Sequence, residues 1–189
     1  MTQMLTDRLV MRRWRDSDRT PFAALNADPD VMRYFPSALD PIASDALIVR
    51  IETGFERNGY GLWAIELRST GSFIGFTGLS LVPFEAAFTP AVEIGWRLAR
   101  AAWGYGYASE AATAALDSAF GPLGLHDVVS FTTATNERSR AVMRRLGMSH
   151  SSEDDFDHLA LPIGHPLRPH VLYRLSARDW QLGRSSGTA

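Results

Sequence analysis

The hydrophobic positions of this chain follow two spacings, which predict an alternation of strands and helices. Alternating apolar residues predict strands, because successive strand side chains point to opposite faces. Apolar residues repeated every three or four positions predict helices instead. Strands are predicted over residues 8–14, 62–67, 73–82, 92–98, 128–133 and 171–175. Helices are predicted near residues 17–26 and over residues 40–58, 108–120 and 139–147.

The order of these elements predicts a mixed α/β fold. A hairpin turn at residues 69–72 joins two early strands, and one strand–helix–strand crossover follows later in the chain. The helix over residues 108–120 carries a stripe of small side chains, so it can lie close to a sheet. No linker or repeat divides the chain. We therefore expect one domain over residues 1–182 and a loose polar tail over residues 183–189.

Composition narrows the range of functions. The chain has 189 residues, of which 46% are hydrophobic, and its net charge is −2, which gives no sign of nucleic-acid binding. The absence of cysteine excludes disulfides, thiolate metal sites and a cysteine nucleophile. All 19 basic residues are arginine, which excludes Schiff-base chemistry on lysine and the phosphate-loop lysine. Four histidines near the end of the chain match no metal-ligand spacing, so we expect no metal.

No targeting or membrane segment is evident in the sequence. No apolar run approaches the roughly 18 residues of a membrane span. The N-terminal residues mix arginines with apolar side chains and lack a signal-peptide core. We therefore expect a cytoplasmic protein with no membrane partner.

A glycine turn stands between the strand over residues 92–98 and the following helix. Its residues are Trp103, Gly104, Tyr105, Gly106, Tyr107 and Ala108. Glycines let the backbone approach a ligand closely, and the unpaired N–H groups of a helix start favour phosphate. The same residues can also form a plain connecting turn. Ser109 replaces the third glycine of a dinucleotide fingerprint, which weighs against a nucleotide-binding oxidoreductase.

This turn resembles the acetyl-CoA signature of the GNAT N-acetyltransferases, with Gly106 and Ala108 at its two small positions. Trp103 replaces the usual glutamine or arginine, as is common in the branch of ribosomal-protein N-terminal (alanine/serine) acetyltransferases. Further segments similar to that branch follow in the same order along the chain. They are Arg8–Arg12, Asp28–Met32, Glu93–Trp96, Asn136 with Ser139, Leu146–Met148 and His170–Tyr173.

The resemblance implies a central, mostly antiparallel, twisted sheet of about seven strands flanked by helices. Its fourth and fifth strands, residues 92–98 and 128–133, are expected to splay apart around the pantetheine arm of acetyl-CoA. Strand backbone is expected to pair with that arm, and N–H groups of the glycine turn to hold its diphosphate. The cofactor-binding residues implied are Trp96, Arg97, Leu98, Trp103, Gly104, Tyr105, Gly106, Tyr107, Ala108, Ser109, Asn136 and Ser139. A homodimer and a bacterial-type enzyme are also implied by resemblance.

Glu93 and Ser139 are the candidate catalytic residues. A carboxylate among apolar neighbours has a raised pKa, which suits Glu93 to act as a base, although a strand glutamate in water or paired with an arginine fits the pattern too. Ser139 lies on the apolar stripe of its helix, where it can protonate the departing thiolate or simply bond its own backbone. Without cysteine, the expected reaction is direct attack of an amine on acetyl-CoA in a ternary complex.

The amine acceptor is left open by the sequence. A protein N-terminal amine has a pKa of about 7.7–8.0 and needs little help to lose its proton, and a small amine is the other candidate. The acidic run over residues 153–158 can attract a cationic amine or form a solvated loop. The aromatic residues Phe35, Trp63, Phe84 and Phe88 can line an amine pocket or form core. A non-catalytic acyl-CoA sensor is the rival to an enzyme.

Overall fold

The computed structural model describes residues 3–186. Within these residues nine strands are formed: β1 (Gln3–Leu5), β2 (Leu9–Arg12), β3 (Leu62–Leu67), β4 (Phe73–Leu81), β5 (Val92–Leu98), β6 (Asp127–Thr133), β7 (Ser149–His150), β8 (Phe156–Asp157) and β9 (Pro169–Ser176). The same residues form five α-helices: α1 (Arg19–Ala27), α2 (Pro41–Asn58), α3 (Tyr107–Phe120), α4 (Glu137–Arg145) and α5 (Ala177–Ser186). The mixed α/β class predicted from the sequence is confirmed.

Helix α2 shows why its ends could be predicted. Asp40 precedes the helix, and its side chain accepts a hydrogen bond from the Ala43 N–H at 2.7 Å. Pro41 occupies the first helical position, where its missing N–H costs nothing. At the other end Gly59 takes the left-handed conformation with φ of 76°. The predicted apolar stripe faces the interior, and Phe55 is 5% exposed.

Four elements were not predicted. Strands β1, β7 and β8 have only two or three residues each, which is too few for an alternating pattern to be recognised in the sequence. They form because β2 and β9 offer antiparallel partners. Helix α5 takes up residues 183–186 of the expected loose tail, and residues 187–189 lie outside the described part of the chain.

The chain divides into two compact units, each made of two separate segments. The first comprises residues 1–80 and 95–115. In it β1, β2, β3 and β4 form successive antiparallel pairs, and α1 packs with α2. Its core is formed by Phe22, Leu25, Val31, Met32, Ile48 and Phe76. Apolar burial of this kind is the main term that stabilises the unit.

The second unit comprises residues 81–94 and 116–189. Strands β6 and β9 are antiparallel and keep register from Asp127 with Ser176 to Thr133 with His170. β9 also pairs with β7 and β8. The start of β5 runs parallel to β6, and the pair has one registered position, Glu93 with Val129. The fourth and fifth predicted strands are thus β5 and β6.

The strand pairings in both units agree with the predicted sheet class. The pairs β1 with β2, β2 with β3 and β3 with β4 are antiparallel, as are the pairs of β9 with β6, β7 and β8. The pairing of β5 with β6 is parallel. The single-domain boundary at residue 182 stays a prediction. None of the helices described here combines the length and apolar character needed to cross a lipid bilayer.

Candidate active site

The glycine turn lies in the first unit and leads directly into α3. Gly104 and Gly106 have φ of 85° and 82°, a conformation that disfavours any residue with a Cβ atom. A Cβ at Gly104 would meet nothing within 4 Å, so one side of the turn is open. The first backbone bond leading into α3 runs from the Glu110 N–H to the Gly106 carbonyl at 3.0 Å. The N–H groups of residues 107–109 precede that bond and are left to other acceptors.

This geometry fits an anionic diphosphate. Open space, left-handed glycines and N–H groups at the start of a 14-residue helix are what a phosphate cradle needs. The residues of the turn therefore fit the cofactor that the sequence resemblance implies. The bonding of Tyr107, Ala108 and Ser109 to it stays a prediction.

Arg8 and Glu110 brace the turn, a role that the sequence reasoning missed. The Arg8 guanidinium donates to the Tyr105 carbonyl at 2.9 Å and to the Glu110 carboxylate at 2.6 Å. It also lies 4.7 Å from the centroid of the Tyr107 ring. Loss of water would raise the pKa of Glu110, but hydrogen bonds from Thr6 and Arg8 outweigh it and lower that pKa. Nothing in local spacing links these residues, because about 100 positions separate them.

The end of β5 supplies the other cofactor residues predicted in the first unit. The Leu98 carbonyl accepts the indole N–H of Trp103 at 2.9 Å, so Trp103 ties the turn to the strand. The Arg97 side chain points elsewhere. Its Nη1 donates to the Asn26 side chain at 2.6 Å, its guanidinium lies 4.0 Å from the centroid of the Phe35 ring, and burial lowers its pKa to about 10. Any contact of Arg97 with the cofactor is therefore left to its backbone.

Glu93 lies at the start of β5, in the second unit. Its side chain is half-buried, and among residues 3–186 its carboxylate has neither a hydrogen-bond nor an ion-pair partner. Removal from water disfavours the charged form, which raises the pKa of Glu93 to about 8. The carboxyl group is thus part-protonated near neutral pH and poised to exchange a proton.

Asn136 and Ser139 lie together at the start of α4. The Asn136 side chain accepts from the Ser139 N–H at 3.3 Å and donates to the Ser139 hydroxyl at 3.1 Å. The Asn136 amide also donates to the Thr132 hydroxyl on β6 at 2.9 Å. Asn136 is therefore the helix cap, and it orients the half-buried Ser139 hydroxyl.

The structure brings some of the predicted residues together and not others. Glu93 pairs with Val129, and alternate residues of a strand point to opposite faces, so Thr132 belongs to the other face of β6. Asn136 and Ser139 thus adjoin the face of β6 opposite to the one that Glu93 shares. In the part of the chain that the structure covers, no cluster of three metal-ligating side chains occurs.

Comparison with known proteins identifies the family. Residues 8–149 match the family described as an acetyltransferase (GNAT) domain. The uncharacterized protein YkkB of Bacillus subtilis is 34% identical over 151 residues, covering 79% of this chain and 87% of YkkB. The FsC-acetyl coenzyme A-N(2)-transacetylase of Aspergillus fumigatus is 29% identical over 163 residues, covering 82% of this chain and 68% of its own.

Solved structures share the fold. An acetyltransferase from Agrobacterium tumefaciens has a TM-score of 0.74 at 27% identity and covers 93% of this chain and 94% of its own. The ribosomal-protein-S5-alanine acetyltransferase of Vibrio fischeri has a TM-score of 0.71 at 17% identity, covering 95% and 99%. The spermidine N-acetyltransferase of Vibrio cholerae, in complex with CoA and spermine, has a TM-score of 0.73 at 17% identity, covering 93% and 99%.

The chain belongs to the GNAT family. It is an acetyl-CoA-dependent acetyltransferase, which confirms the class of enzyme predicted from the sequence.

Proposed function

We propose that this enzyme transfers the acetyl group directly to a primary amine in a ternary complex, with Glu93 as the base. One observation carries this proposal: an isolated carboxylate whose pKa is raised to about 8. A base works best when its pKa lies near the working pH, because it then accepts a proton readily and is still partly deprotonated. Glu93 accepts the proton of the attacking amine, either directly or through a water molecule.

Bound acetyl-CoA supplies a thioester-activated acetyl group. The chain has no cysteine to take up that group, which favours direct attack by the amine. In this proposal the N–H groups of the glycine turn hold the diphosphate, and Arg8 keeps the turn in shape. We propose that the thioester lies between β5 and β6, where both faces of β6 can be reached. The Ser139 hydroxyl, oriented by Asn136 on the face opposite to Glu93, then donates a proton to the departing thiolate. That donation helps modestly, because a thiol already ionises near a pKa of about 8.5.

The acceptor is proposed to be a protein N-terminal amine or a small amine. Relatives and neighbours are named for different acceptors, including a ribosomal protein, spermidine and an FsC substrate. A shared fold therefore leaves the acceptor open. Both candidate classes offer the primary amine that Glu93 would deprotonate.

The Glu93 role is tested by thiol release from acetyl-CoA with a panel of peptides, amines and amino acids. Glu93→Gln keeps the shape but cannot accept a proton, so we expect kcat to fall about 10²–10⁴-fold with unchanged calorimetric affinity for CoA. Glu56→Gln, which changes an exposed glutamate on α2 in the first unit, is the control and should retain full activity. An undiminished kcat in Glu93→Gln would reject Glu93 as the general base. No turnover with any amine, together with intact CoA binding, would favour a sensor.

The glycine turn has its own test. Gly106→Ala forces a Cβ into a left-handed position, which strains the turn by roughly 1–2 kcal/mol and should raise the Kd for CoA. Gly124→Ala introduces the same kind of strain at φ of 61°, away from the turn in sequence. Its new Cβ has no atom within 4 Å, whereas a Cβ at Gly106 lies in ordinary contact with Arg8 Nη2 at 3.6 Å. The two variants should lose similar stability, and only Gly106→Ala should bind CoA more weakly. An equal Kd for CoA in both variants would contradict the proposal that this turn binds the diphosphate.

A further inference from the structure

We propose that a six-ring cluster in the second unit holds the non-reacting part of the acceptor. The acceptor would then be a primary amine joined by a short linker to an aromatic ring or a similarly flat apolar group. The cluster consists of Phe84, Phe88, Phe131, Phe156, His158 and His170. This inference rests on the proposed function, since it assumes that an amine is brought to Glu93.

The rings form a continuous set drawn from four parts of the chain, the connection between β4 and β5, β6, β8 with the residues after it, and β9. Phe84 and Phe88 come from the connection between β4 and β5, and their ring centroids lie 5.7 Å and 6.0 Å from that of Phe131 on β6. Phe156 on β8 lies 5.0 Å from Phe88, and His158 lies 4.8 Å from Phe84. These spacings and the tilted and edge-on arrangements are those that favour aromatic contacts, so a further ring can join the set.

The cluster is open to solvent, unlike the core beside it. All six residues are half-buried, whereas Val129 and Leu172 on the same strands are 4% and 1% exposed. An apolar surface that keeps six partly exposed rings together is typical of a binding site. Trp63, another candidate for an amine pocket, is fully buried core.

Strand register places the cluster on the face that carries Glu93. Glu93 pairs with Val129, and Phe131 lies two residues further along β6 on the same face. His170 pairs with Thr133, which shares that face, and Phe156 pairs with His170. Paired strand residues point to the same side of a sheet. A molecule lying on the rings can thus direct its amine along the sheet towards the Glu93 carboxylate.

The charges around the cluster favour an apolar body over a second cation. Burial lowers the pKa of both His158 and His170, so neither ring carries a full charge at neutral pH. Asp157, the carboxylate between Phe156 and His158 in the sequence, is already held by Arg168 at 2.8 Å. The six rings themselves offer no carboxylate to the second ammonium of a polyamine. A flat apolar group instead adds its surface to the rings.

The test compares amines that differ in the group joined to the nitrogen. With acetyl-CoA saturating, we expect the KM for 2-phenylethylamine to be at least about tenfold below those for n-butylamine and 1,4-diaminobutane. Phe88→Leu should raise the KM for 2-phenylethylamine about tenfold and change that for n-butylamine less than about twofold. Phe120→Leu alters a half-buried phenylalanine of the same unit that pairs with Trp180, and it should change neither.

A second measurement does not depend on turnover or on the variant's folding. In histidine imidazole NMR spectra of the full chain, 2-phenylethylamine should shift the His158 and His170 signals. His150, stacked on Tyr173 at 5.0 Å, and His126 serve as internal references and should not move. Equal KM values together with unmoved histidine signals would overturn this inference and leave the proposed function intact. Shifted histidines without acetylation of any amine would overturn the proposed function and leave the cluster as a binding site.

Discussion

Arg12 in the first unit and Glu93 in the second are both ionisable side chains withdrawn from water, and of the two only Arg12 has polar partners among residues 3–186. Arg12 is 5% exposed, and its guanidinium holds Asp18 in a two-pronged pair at 2.7 and 2.9 Å and Glu66 at 2.9 Å. Bonding to Asp18 outweighs burial and raises the pKa of Arg12. Burial alone acts on Glu93 and raises its pKa to about 8.

The difference separates a structural charge from a chemical one. A paired buried charge is held in one state, so it fixes the chain and exchanges no proton. An unpaired carboxylate changes state near neutral pH, which is useful for catalysis and costs stability when it ionises. The predictions below test that separation, from the largest expected effect to the smallest.

Breaking the Arg12 cluster should have the largest effect on stability. Arg12→Met keeps the apolar stem but leaves the 2%-exposed Asp18 without its cation, so the free energy of unfolding should fall by about 3–5 kcal/mol in urea titrations. Arg19→Met removes an arginine whose side chain is 40% exposed and contacts Asp16 and Asp45, and it should leave stability unchanged. If the free energy of unfolding fell no further in Arg12→Met than in Arg19→Met, the Arg12 cluster would not be a structural charge in the sense argued above.

Glu93 should reveal itself in the pH dependence of stability. Its folded-state pKa of about 8 lies above its ordinary value of 4.5, so its stabilising contribution is complete below pH 4.5 and is lost as pH rises through 8. Glu93→Gln lacks this loss. Between pH 5 and pH 9 the variant should gain on the order of 3 kcal/mol relative to the natural protein, a value reduced for the half-exposed side chain. If the difference in the free energy of unfolding between the variant and the natural protein were the same at both pH values, Glu93 would titrate as an ordinary glutamate.

Arg97 tests an intermediate case, a buried cation whose hydrogen-bond partner is neutral. Asn26, which is fully buried, accepts from Arg97 and donates to Ser44 at 3.0 Å. Asn26→Leu leaves both unsatisfied and should destabilise the protein by about 2 kcal/mol in urea titrations. Ser44→Ala removes only the neutral half of the network and should cost less. Equal losses in the two variants would mean that the Asn26 carbonyl does nothing for the Arg97 charge.

Ser139 should show the smallest effect. Because the departing thiol needs little protonation, Ser139→Ala should lower kcat by less than about tenfold, with the acidic limb of the rate profile, where Glu93 loses its proton, unchanged. Ser118→Ala is the matched control, since Ser118 is 3% exposed and its hydroxyl has no partner among the described residues. Rates measured by thiol release decide the point. A loss as large as that of Glu93→Gln would make Ser139 an equal participant.

Much of the fold followed from the sequence because its signals are local. Pro41 after a capping Asp40, the alternation over β5 and the small stripe of α3 each act within a few residues. Short β7 and β8 could not be predicted, since their pairing with β9 comes from residues 12–25 positions away. The last turn of α5, residues 183–186, was missed because the small polar residues there show no periodic pattern of apolar positions.

The candidate site divides in the same way. The glycine turn and the pair Asn136–Ser139 could be found from spacing, because a turn and a helix cap are local structures. The Arg8–Glu110 brace and the six-ring cluster could not, because their members lie far apart in the chain. Nor does spacing show that the Arg97 side chain turns towards Asn26 and Phe35.

The sequence by itself determined which groups this protein has for its chemistry. These are a glycine turn ahead of a helix, Glu93 in the strand β5, and Ser139 in the first turn of a helix capped by Asn136, with no cysteine or lysine. The tertiary structure decided which charges are paired. Arg12 meets Asp18 and Glu66, while Glu93 has no counter-ion within the part of the chain that the structure describes. The reason is physical, since pairing and desolvation depend on distance in space, and strand packing sets that distance between residues remote in sequence.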